Sequence, residues 1–377
     1  MKFAIITHVQ HIKGDNQYFG YAPYIREMNI WLKYVDEVII VAPLVDRELN
    51  PIHEKYNHSH VNFRQVEEFD ITSIANVFKT MARLPKIVTQ VYKAMSQADH
   101  IHLRCPGNMG LIGAMVQILF PKKPKTAKYA GNWDPNAKQP FTYKLQRWIL
   151  SNTFLTKNMQ VLVYGDWDNQ TKNIKPFFTA TYSESDKKVI EPTTLEGCID
   201  FLFVGTLSKG KQPLLAIQLV EKLYQQGKKV RLNLYGDGIL RSTLETYIEE
   251  NNLQDIVFLR GNQSKETVLK AYQTSHFLVL PSKSEGWPKV VAEAMFWACV
   301  PVVSKVSCVP YMLGYGERGI QLKEQLQTDV SQVMSVLNDE LLYQKMASEG
   351  QNWSRQFTTD KFEIEIKKLL QNRFNHY

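Results

Sequence analysis

One feature constrains the fold of this chain more than any other: short, almost continuous apolar runs alternate with amphipathic stretches along its length. The first half carries "FAIITH" (3–8), "EVIIVA" (37–42), "DHIHL" (99–103), "TAKYA" (126–130) and "QVLVY" (160–164). The second half carries "DFLFV" (200–204), "VRLNLY" (230–235), "IVFL" (256–259), "HFLVL" (276–280) and "VPVV" (300–303). A run apolar at successive positions leaves no face for water, so it suits a strand covered on both sides in a parallel sheet. Between the runs the period changes. "PLLAIQLVEKLYQQG" (213–227) places apolar residues at helical spacing and ends on Gly227, a helix-terminating residue. Strand, helix and strand, repeated in both halves, predict an α/β protein of two doubly wound parallel-sheet domains.

At 377 residues the chain has room for two such domains, and 44% apolar with 22% charged residues is a globular composition. The longest apolar runs, such as "LIGAMVQILF" (111–120), are too short to span a bilayer. "MKFAIITHVQ" at the start reads as a buried first strand in preference to a signal peptide. Cys105, Cys198, Cys299 and Cys308 show no zinc or disulfide spacing, which points to a reduced, cytoplasmic compartment. The polar, aperiodic stretch 178–199 is the boundary expected between a domain of residues 1–180 and one of 181–357, with a C-terminal helix of about 358–377 packing back on the first. The net charge of +8 is uneven. Residues 79–160 hold 13 Lys or Arg against two acids, Asp99 and Asp134. This excess predicts an anionic partner for the first half.

In open α/β sheets ligands bind beyond the carboxyl ends of the strands, so the turns there hold the candidate site residues. After "FLFVG" the loop 206–213 carries Lys209 and Lys211 just before a helix, where amides and a lysine suit a phosphate; two solvated loop lysines is the equal alternative. After "LNLYG", Gly236 and Gly238 would let backbone approach a flat ligand. The third turn, "VLPSKSEGWPKVVAEAM" (279–295), places Glu285 in a loop and Glu293 on the helix that Pro288 opens. Glu293 lies within "VVAEAMFWACVPVV", where a carboxylate without a partner would be costly.

The stretch "SEGWPKVVAEAMFWACVPVV" resembles the donor-site signature of the retaining, nucleotide-sugar-dependent glycosyltransferases of family 4, which have the GT-B fold of two Rossmann-like domains facing a cleft. The signature is a glutamate, seven residues, then a second glutamate, here Glu285 and Glu293. "FLFVGTLSKGKQPLLAIQLVEKL", "LYGDGILRSTLE" and "VFLRGNQSKETVLKAYQTSHFLVLPS" follow the family in order and spacing, so the resemblance covers nearly all of 200–320. It implies that Glu285 holds hydroxyls of the donor sugar and Glu293 those of the ribose. It places the amides after Gly286 at the diphosphate, with Gly205, Thr206, Gly236, Trp287 and Lys289 lining the donor. Asn262 and Gln263 would lie near the base. Lys211, or failing that Lys209, would neutralise the departing diphosphate, which is an electrostatic task needing no metal or cofactor. The donor expected is a UDP- or GDP-linked sugar.

Two departures stand out. Thr206 follows Gly205 where the family usually has arginine, so a second cation must come from elsewhere, with Arg104 and Arg260 as candidates. Pro288 removes a backbone donor where many relatives have glycine. The first half matches the family in architecture alone. Its strand-end turns offer His8, Gly20, Arg104, Asn132 and Asp134 as acceptor contacts, and His8 and His11 each read as structural or substrate-contacting before catalytic. A retaining transfer without a nucleophile fits same-face attack, in which the leaving phosphate accepts the proton.

Basic and aromatic residues mix in 79–95, 120–128 and 140–154, which suits an anionic membrane surface; core-facing helices with lysine-rich outer faces are the alternative. No nucleic-acid motif accompanies the charge. The sequence therefore predicts a cytoplasmic, membrane-peripheral glycosyltransferase with a carbohydrate or lipid-linked acceptor, in surface-polysaccharide or glycoconjugate assembly. The alternatives are a non-catalytic nucleotide-sugar-binding relative with a regulatory role and a nucleotide-sugar epimerase.

Overall fold

A computed structural model describes residues 1–15, 17–50, 52–67 and 74–371, without the side chains of 74–82. The side chains of Lys79 and Met81 in the basic stretch, and residues 372–377 of the expected last helix, lie outside what is described. The chain divides into two compact units, residues 1–177 with 362–377 and residues 178–361.

Unit 1 is built on strands β1 (Lys2–Ile6), β4 (Glu37–Pro43), β6 (Val61–Val66), β7 (His100–Cys105), β8 (Lys125–Tyr129), β9 (Met159–Tyr164) and β10 (Ile174–Phe177). They form one parallel sheet in the order β10-β9-β8-β7-β1-β4-β6. Its helices are α1 (Ala22–Leu32), α2 (Ile74–Gln97), α3 (Asn108–Val116) and α4 (Phe141–Ser151). Phe3, Ala4, Ile5 and Ile6 are all fully buried, as a strand covered on both faces requires. The inward face of α2 is Ile87, Val91, Ala94 and Met95, whereas Leu84 is exposed.

Past β1, residues 11–14 and 17–21 form a hairpin of β2 (His11–Gly14) and β3 (Gln17–Tyr21). It is joined by β5 (His53–Lys55). Pro23 sits in the first turn of α1, where its missing N–H costs no helix bond. Glu27 of α1 is buried between two cations, Arg104 Nη1 at 3.1 Å and Lys128 Nζ at 2.7 Å. Lys128 also lies over the rings of Tyr164, Phe177 and Phe362. A buried carboxylate is tolerable only when paired in this way.

Unit 2 has six parallel strands, β11 (Ile199–Val204), β12 (Val230–Tyr235), β13 (Val257–Gly261), β14 (Phe277–Leu280), β15 (Val300–Ser304) and β16 (Ile320–Leu322), in the order β13-β12-β11-β14-β15-β16. Around it run α5 (Pro213–Gln225), α6 (Arg241–Glu250), α7 (Lys265–Thr274), α8 (Lys289–Phe296), α9 (Val309–Met312), α10 (Leu326–Leu337) and α11 (Glu340–Ser354). The last helix, α12, spans Thr359–Gln371. Gly227 ends α5 with φ +83°, and Lys228 N–H bonds the Leu223 carbonyl behind it. Two doubly wound α/β sheets are thus present, as the apolar runs predicted.

Three histidines of unit 1 are buried and neutral. His11 bonds Tyr56 Oη and the Val9 carbonyl, each at 2.8 Å, and burial lowers its pKa to about 4. His100 and His102 share the Thr126 hydroxyl at 3.0 and 2.9 Å. Burial lowers His100 to about 3 and takes His102 well below its ordinary value. The unfolded chain takes up these protons near pH 6.5, before the folded chain can, so stability is complete above that pH and is lost as pH falls. Thermal unfolding should show lower stability at pH 4.5 than at pH 7, by about 2 kcal/mol per buried histidine. His11→Gln should flatten the slope between pH 6.5 and 4. An unfolding temperature that holds constant over that range contradicts the assignment.

Candidate functional site

In unit 2 the chain steps from β11 to β12 and β13 on one side, then returns to β14 on the other. Beyond their carboxyl ends, β11 and β14 therefore flank the switch-point crevice where ligands of open α/β sheets bind. The loop after β11 carries Lys211 and the loop after β14 carries Glu285. Their side chains meet there, with Lys211 Nζ 2.5 Å from Glu285 Oε1. Local structure fixes both ends of this ion pair. Leu207 is fully buried and anchors the first loop, whose Lys211 N–H bonds the Ser208 carbonyl at 3.1 Å. Gln212 then turns the chain with φ +51°, and Pro213 starts α5. Lys283 N–H donates to the Gly210 carbonyl at 2.9 Å, which ties the two loops together.

The Gly286 carbonyl accepts from Ser307 Oγ and Cys308 Sγ, each at 3.1 Å, so the turn after β15 supports the turn holding Glu285. Trp287 is buried, with its ring centroid 6.0 Å from Trp353 and 5.7 Å from Phe357. Its ring is spent on packing the turn. Pro288 sits at the helix cap and Lys289 is the first residue of α8, one position later than the sequence suggested. Glu293 has the partners its apolar surroundings require: Tyr272 Oη donates to Oε2 at 3.0 Å and Thr181 Oγ1 donates to Oε1 at 2.7 Å. Neither residue was singled out from the sequence. Their separations of 21 and 112 residues carry no local signal.

Gly236 and Gly238 are explained by close backbone approach, though the approaching chain is the neighbouring loop. A Cβ on Gly236 would stand 2.0 Å from the Gly205 carbonyl oxygen, and one on Gly238 would stand 2.5 Å from that of Leu207. Gly205 N–H bonds the Tyr235 carbonyl, and Leu207 N–H that of Asp237. The two turns are thus interlocked into one platform. Thr206 and Lys209 are exposed on it, and Asn262 and Gln263 are exposed beyond β13. The two arginines considered as replacements at position 206 are engaged elsewhere. Arg260 Nε donates to Asn233 at 2.8 Å and its guanidinium covers the Phe258 ring, while Arg104 pairs with Glu27.

Unit 1 reverses its strand order between β1 and β7, and His8 lies just past β1. A Cβ on Gly107, at φ +144° after β7, would stand 2.9 Å from His8 Nδ1, so only glycine lets that turn close on the imidazole. His8 is exposed at the surface, and partial desolvation by the packed turn, then the charge of Arg104, lowers its pKa. The buried Gln146 of α4 accepts from Gly107 N–H at 3.3 Å; neither residue stood out in the sequence. Asn132 and Asp134 belong to a turn folded on itself: Asn132 Oδ1 accepts from Asp134 N–H and Asp134 Oδ1 from Asn136 N–H. Gly20 lies in β3 opposite His11, with Ile25 Cδ1 3.1 Å from where a Cβ would stand, and packing accounts for it.

Residues 186–353, within unit 2, match the family of glycosyl transferases group 1. An uncharacterized glycosyltransferase of Methanocaldococcus jannaschii is 25% identical over 202 residues, 53% of this chain and 55% of the relative. The amylovoran biosynthesis glycosyltransferase AmsK of Erwinia amylovora is 29% identical over 124 residues, 31% of this chain and 30% of the relative. The chain thus spans about half the length of the first and under a third of the second. Among solved structures, Anabaena HepE in complex with UDP and glucose is 14% identical with a TM-score of 0.67, covering 99% of this chain and 100% of that one. This last likeness establishes the GT-B architecture.

The interlocked platform can be tested by packing alone. Gly236→Ala should lower stability by about 2 kcal/mol or more, because neither backbone at that contact can give way. Gly210→Ala, whose Cβ would meet nothing nearer than Ser208 Oγ at 3.9 Å, should stay within about 0.5 kcal/mol of the parent. Equal unfolding temperatures for the two variants would refute the close approach.

Proposed function

We infer that a chain whose residues 186–353 match the group 1 glycosyltransferases, on a GT-B architecture, transfers a sugar from a nucleoside-diphosphate donor to a carbohydrate or lipid-linked hydroxyl. The observation that carries this reading is the Lys211–Glu285 pair at the switch point of unit 2. Without donor, each charge compensates the other. When the diphosphate enters, its oxygens offer Lys211 a stronger partner, and Glu285 is released to accept hydrogen bonds from sugar hydroxyls. Glu293, already oriented by Tyr272 and Thr181, retains lone pairs for the ribose hydroxyls. The complex of HepE with UDP and glucose favours UDP as the nucleotide.

The chemistry assigned to the site is retaining and independent of metal. The bond from the anomeric carbon to the phosphate oxygen breaks as an acceptor oxygen attacks the same face, and the acceptor proton passes to the departing phosphate. Charge grows on the diphosphate as the bond breaks, so a fixed ammonium at Lys211 favours the transition state over the bound donor. The crevice of unit 1, with neutral His8 beside Gly107, is assigned to the acceptor. A neutral imidazole there is a hydrogen-bond partner for a hydroxyl. The setting proposed is the cytoplasmic face of the cell membrane, in polysaccharide or glycoconjugate assembly.

A second reading, a non-catalytic nucleotide-sugar binder, is favoured by Thr206 and by the engagement of both candidate arginines. Calorimetry with UDP and UDP-sugars, and turnover with membrane extract, separate the two. Lys211→Ala should reduce turnover about 10²–10³-fold and weaken UDP binding. Glu285→Gln should reduce turnover comparably while leaving UDP affinity within about threefold, since the assigned contact is to sugar and not to nucleotide. UDP binding without turnover on any acceptor supports the second reading. No binding of any nucleotide or nucleotide sugar sinks both.

A further inference from the structure

The outer face of α3 and α4 in unit 1 is an apolar ridge set among cations. The inner side of α3 is held close to the sheet by glycine: a Cβ on Gly113 would stand 2.8 Å from Leu103 Cδ2, and one on Gly110 would stand 2.6 Å from Gln146 Nε2 of α4. Outward, the segment 108–120, "NMGLIGAMVQILF", contains no charged residue and leaves Met115 52% and Leu119 66% exposed. On α4, Phe141, Lys144 and Trp148 follow at helical spacing on the exposed side, while Gln146, Ile149 and Leu150 face inward. Phe141 is 77% and Trp148 59% exposed, and Phe154 in the following turn is 75% exposed with Lys157 Nζ 5.0 Å from its ring centroid. Five large apolar side chains on neighbouring elements exceed the scattered exposure normal for a water-facing surface.

The charge around the ridge selects what can cover it. From 108 to 157 there are eight Lys or Arg and one acid, Asp134. Lys125 and Lys128 are buried, and Lys123 and Arg147 are spent on backbone carbonyls. Lys122, Lys138, Lys144 and Lys157 are exposed. A second copy of this face would set like charges against one another. A bilayer with anionic headgroups would neutralise the lysines and receive Trp and Phe at headgroup depth. We propose that the α3–α4 face of unit 1 docks on an anionic lipid bilayer, with Trp148, Phe154, Met115 and Leu119 entering the interface and Lys122, Lys144 and Lys157 facing lipid phosphates.

The same two helices frame the unit 1 crevice, because Gly107 against His8 leads into α3 and Gln146 of α4 bonds Gly107. Docking therefore orients that crevice relative to the lipid surface and, resting on the glycosyltransferase reading, names a lipid-anchored hydroxyl as the acceptor. The surface itself stands independently of the donor assignment.

The test is flotation of the full chain with vesicles of phosphatidylcholine alone and of phosphatidylcholine mixed with phosphatidylglycerol. Analytical sedimentation gives the oligomeric state, and UDP calorimetry is a separate readout of the donor site. Binding is expected to the mixed vesicles only and to weaken with salt. Lys144→Glu with Lys157→Glu should lower the partition at least about 25-fold, at about fivefold for each charge lost. Trp148→Ser with Phe154→Ser should lower it about tenfold or more. Neither exposed pair should change the unfolding temperature or UDP affinity. Absence of wild-type flotation, equal flotation of the variants, or a dimer that the aromatic variant converts to monomer would each overturn the proposal. A failure of UDP to bind would count against the donor assignment and leave the vesicle result standing.

Discussion

Each of the two parallel sheets reverses its strand order once, and most of what the site can do follows from that topological constraint. Where two neighbouring strands send their connections to opposite sides, no crossover covers the gap at their carboxyl ends. In unit 2 the gap lies between β11 and β14, and the loops on its rims bring Lys211 to Glu285 across 74 residues of sequence. In unit 1 the gap lies between β1 and β7, and the residues on its rims are His8 and Gly107. The same rule thus yields an ion pair at one switch point and an imidazole at the other. Chemistry that must stabilise a growing negative charge needs the first; recognition of a hydroxyl suits the second.

The charged crevice is usable because its walls are rigid. A side chain on Gly236 would collide with the Gly205 carbonyl, and backbone hydrogen bonds lock the two turns on either side of that contact. On the opposite wall, the Gly286 carbonyl is held by Ser307 and Cys308, and Trp287 is wedged against Trp353 and Phe357. Fixed walls let an ammonium and a carboxylate be presented without reorganisation when charge moves, which is where electrostatic catalysis gains most. The absence of arginine at position 206 leaves Lys211 as the cation at the centre of that arrangement.

The sequence made the two sheets legible because their central strands are apolar at successive positions, a pattern with few other outcomes. It was less informative where strands are short or half exposed. β6 ("VNFRQV"), β10 ("IKPF") and β16 ("IQL") lack an unbroken apolar run, and the β2–β3 hairpin reads "HIKGDNQYFGY" without one. Among the candidate site residues, the requirement that Glu293 have a partner could be read from its neighbours. The identity of the partners could not, because Tyr272 and Thr181 reach it only through the packing of α7 and of the segment after residue 178. Gly236 announced a close approach in sequence, but whether a ligand or the protein's own backbone approaches depends on register between β11 and β12. Trp148 shows the same limit in reverse: an aromatic on an amphipathic helix fits core or surface equally until the helix's rotation is known.

The central claim is that the Lys211–Glu285 pair is a donor site held closed on itself until a diphosphate arrives. A crystal structure of the chain with UDP tests it most directly. The account predicts the diphosphate at the 205–211 loop, with Lys211 Nζ within hydrogen-bond distance of a phosphate oxygen and no longer on Glu285, and the ribose hydroxyls on Glu293. UDP bound elsewhere, or bound with the Lys211–Glu285 contact intact, would contradict it.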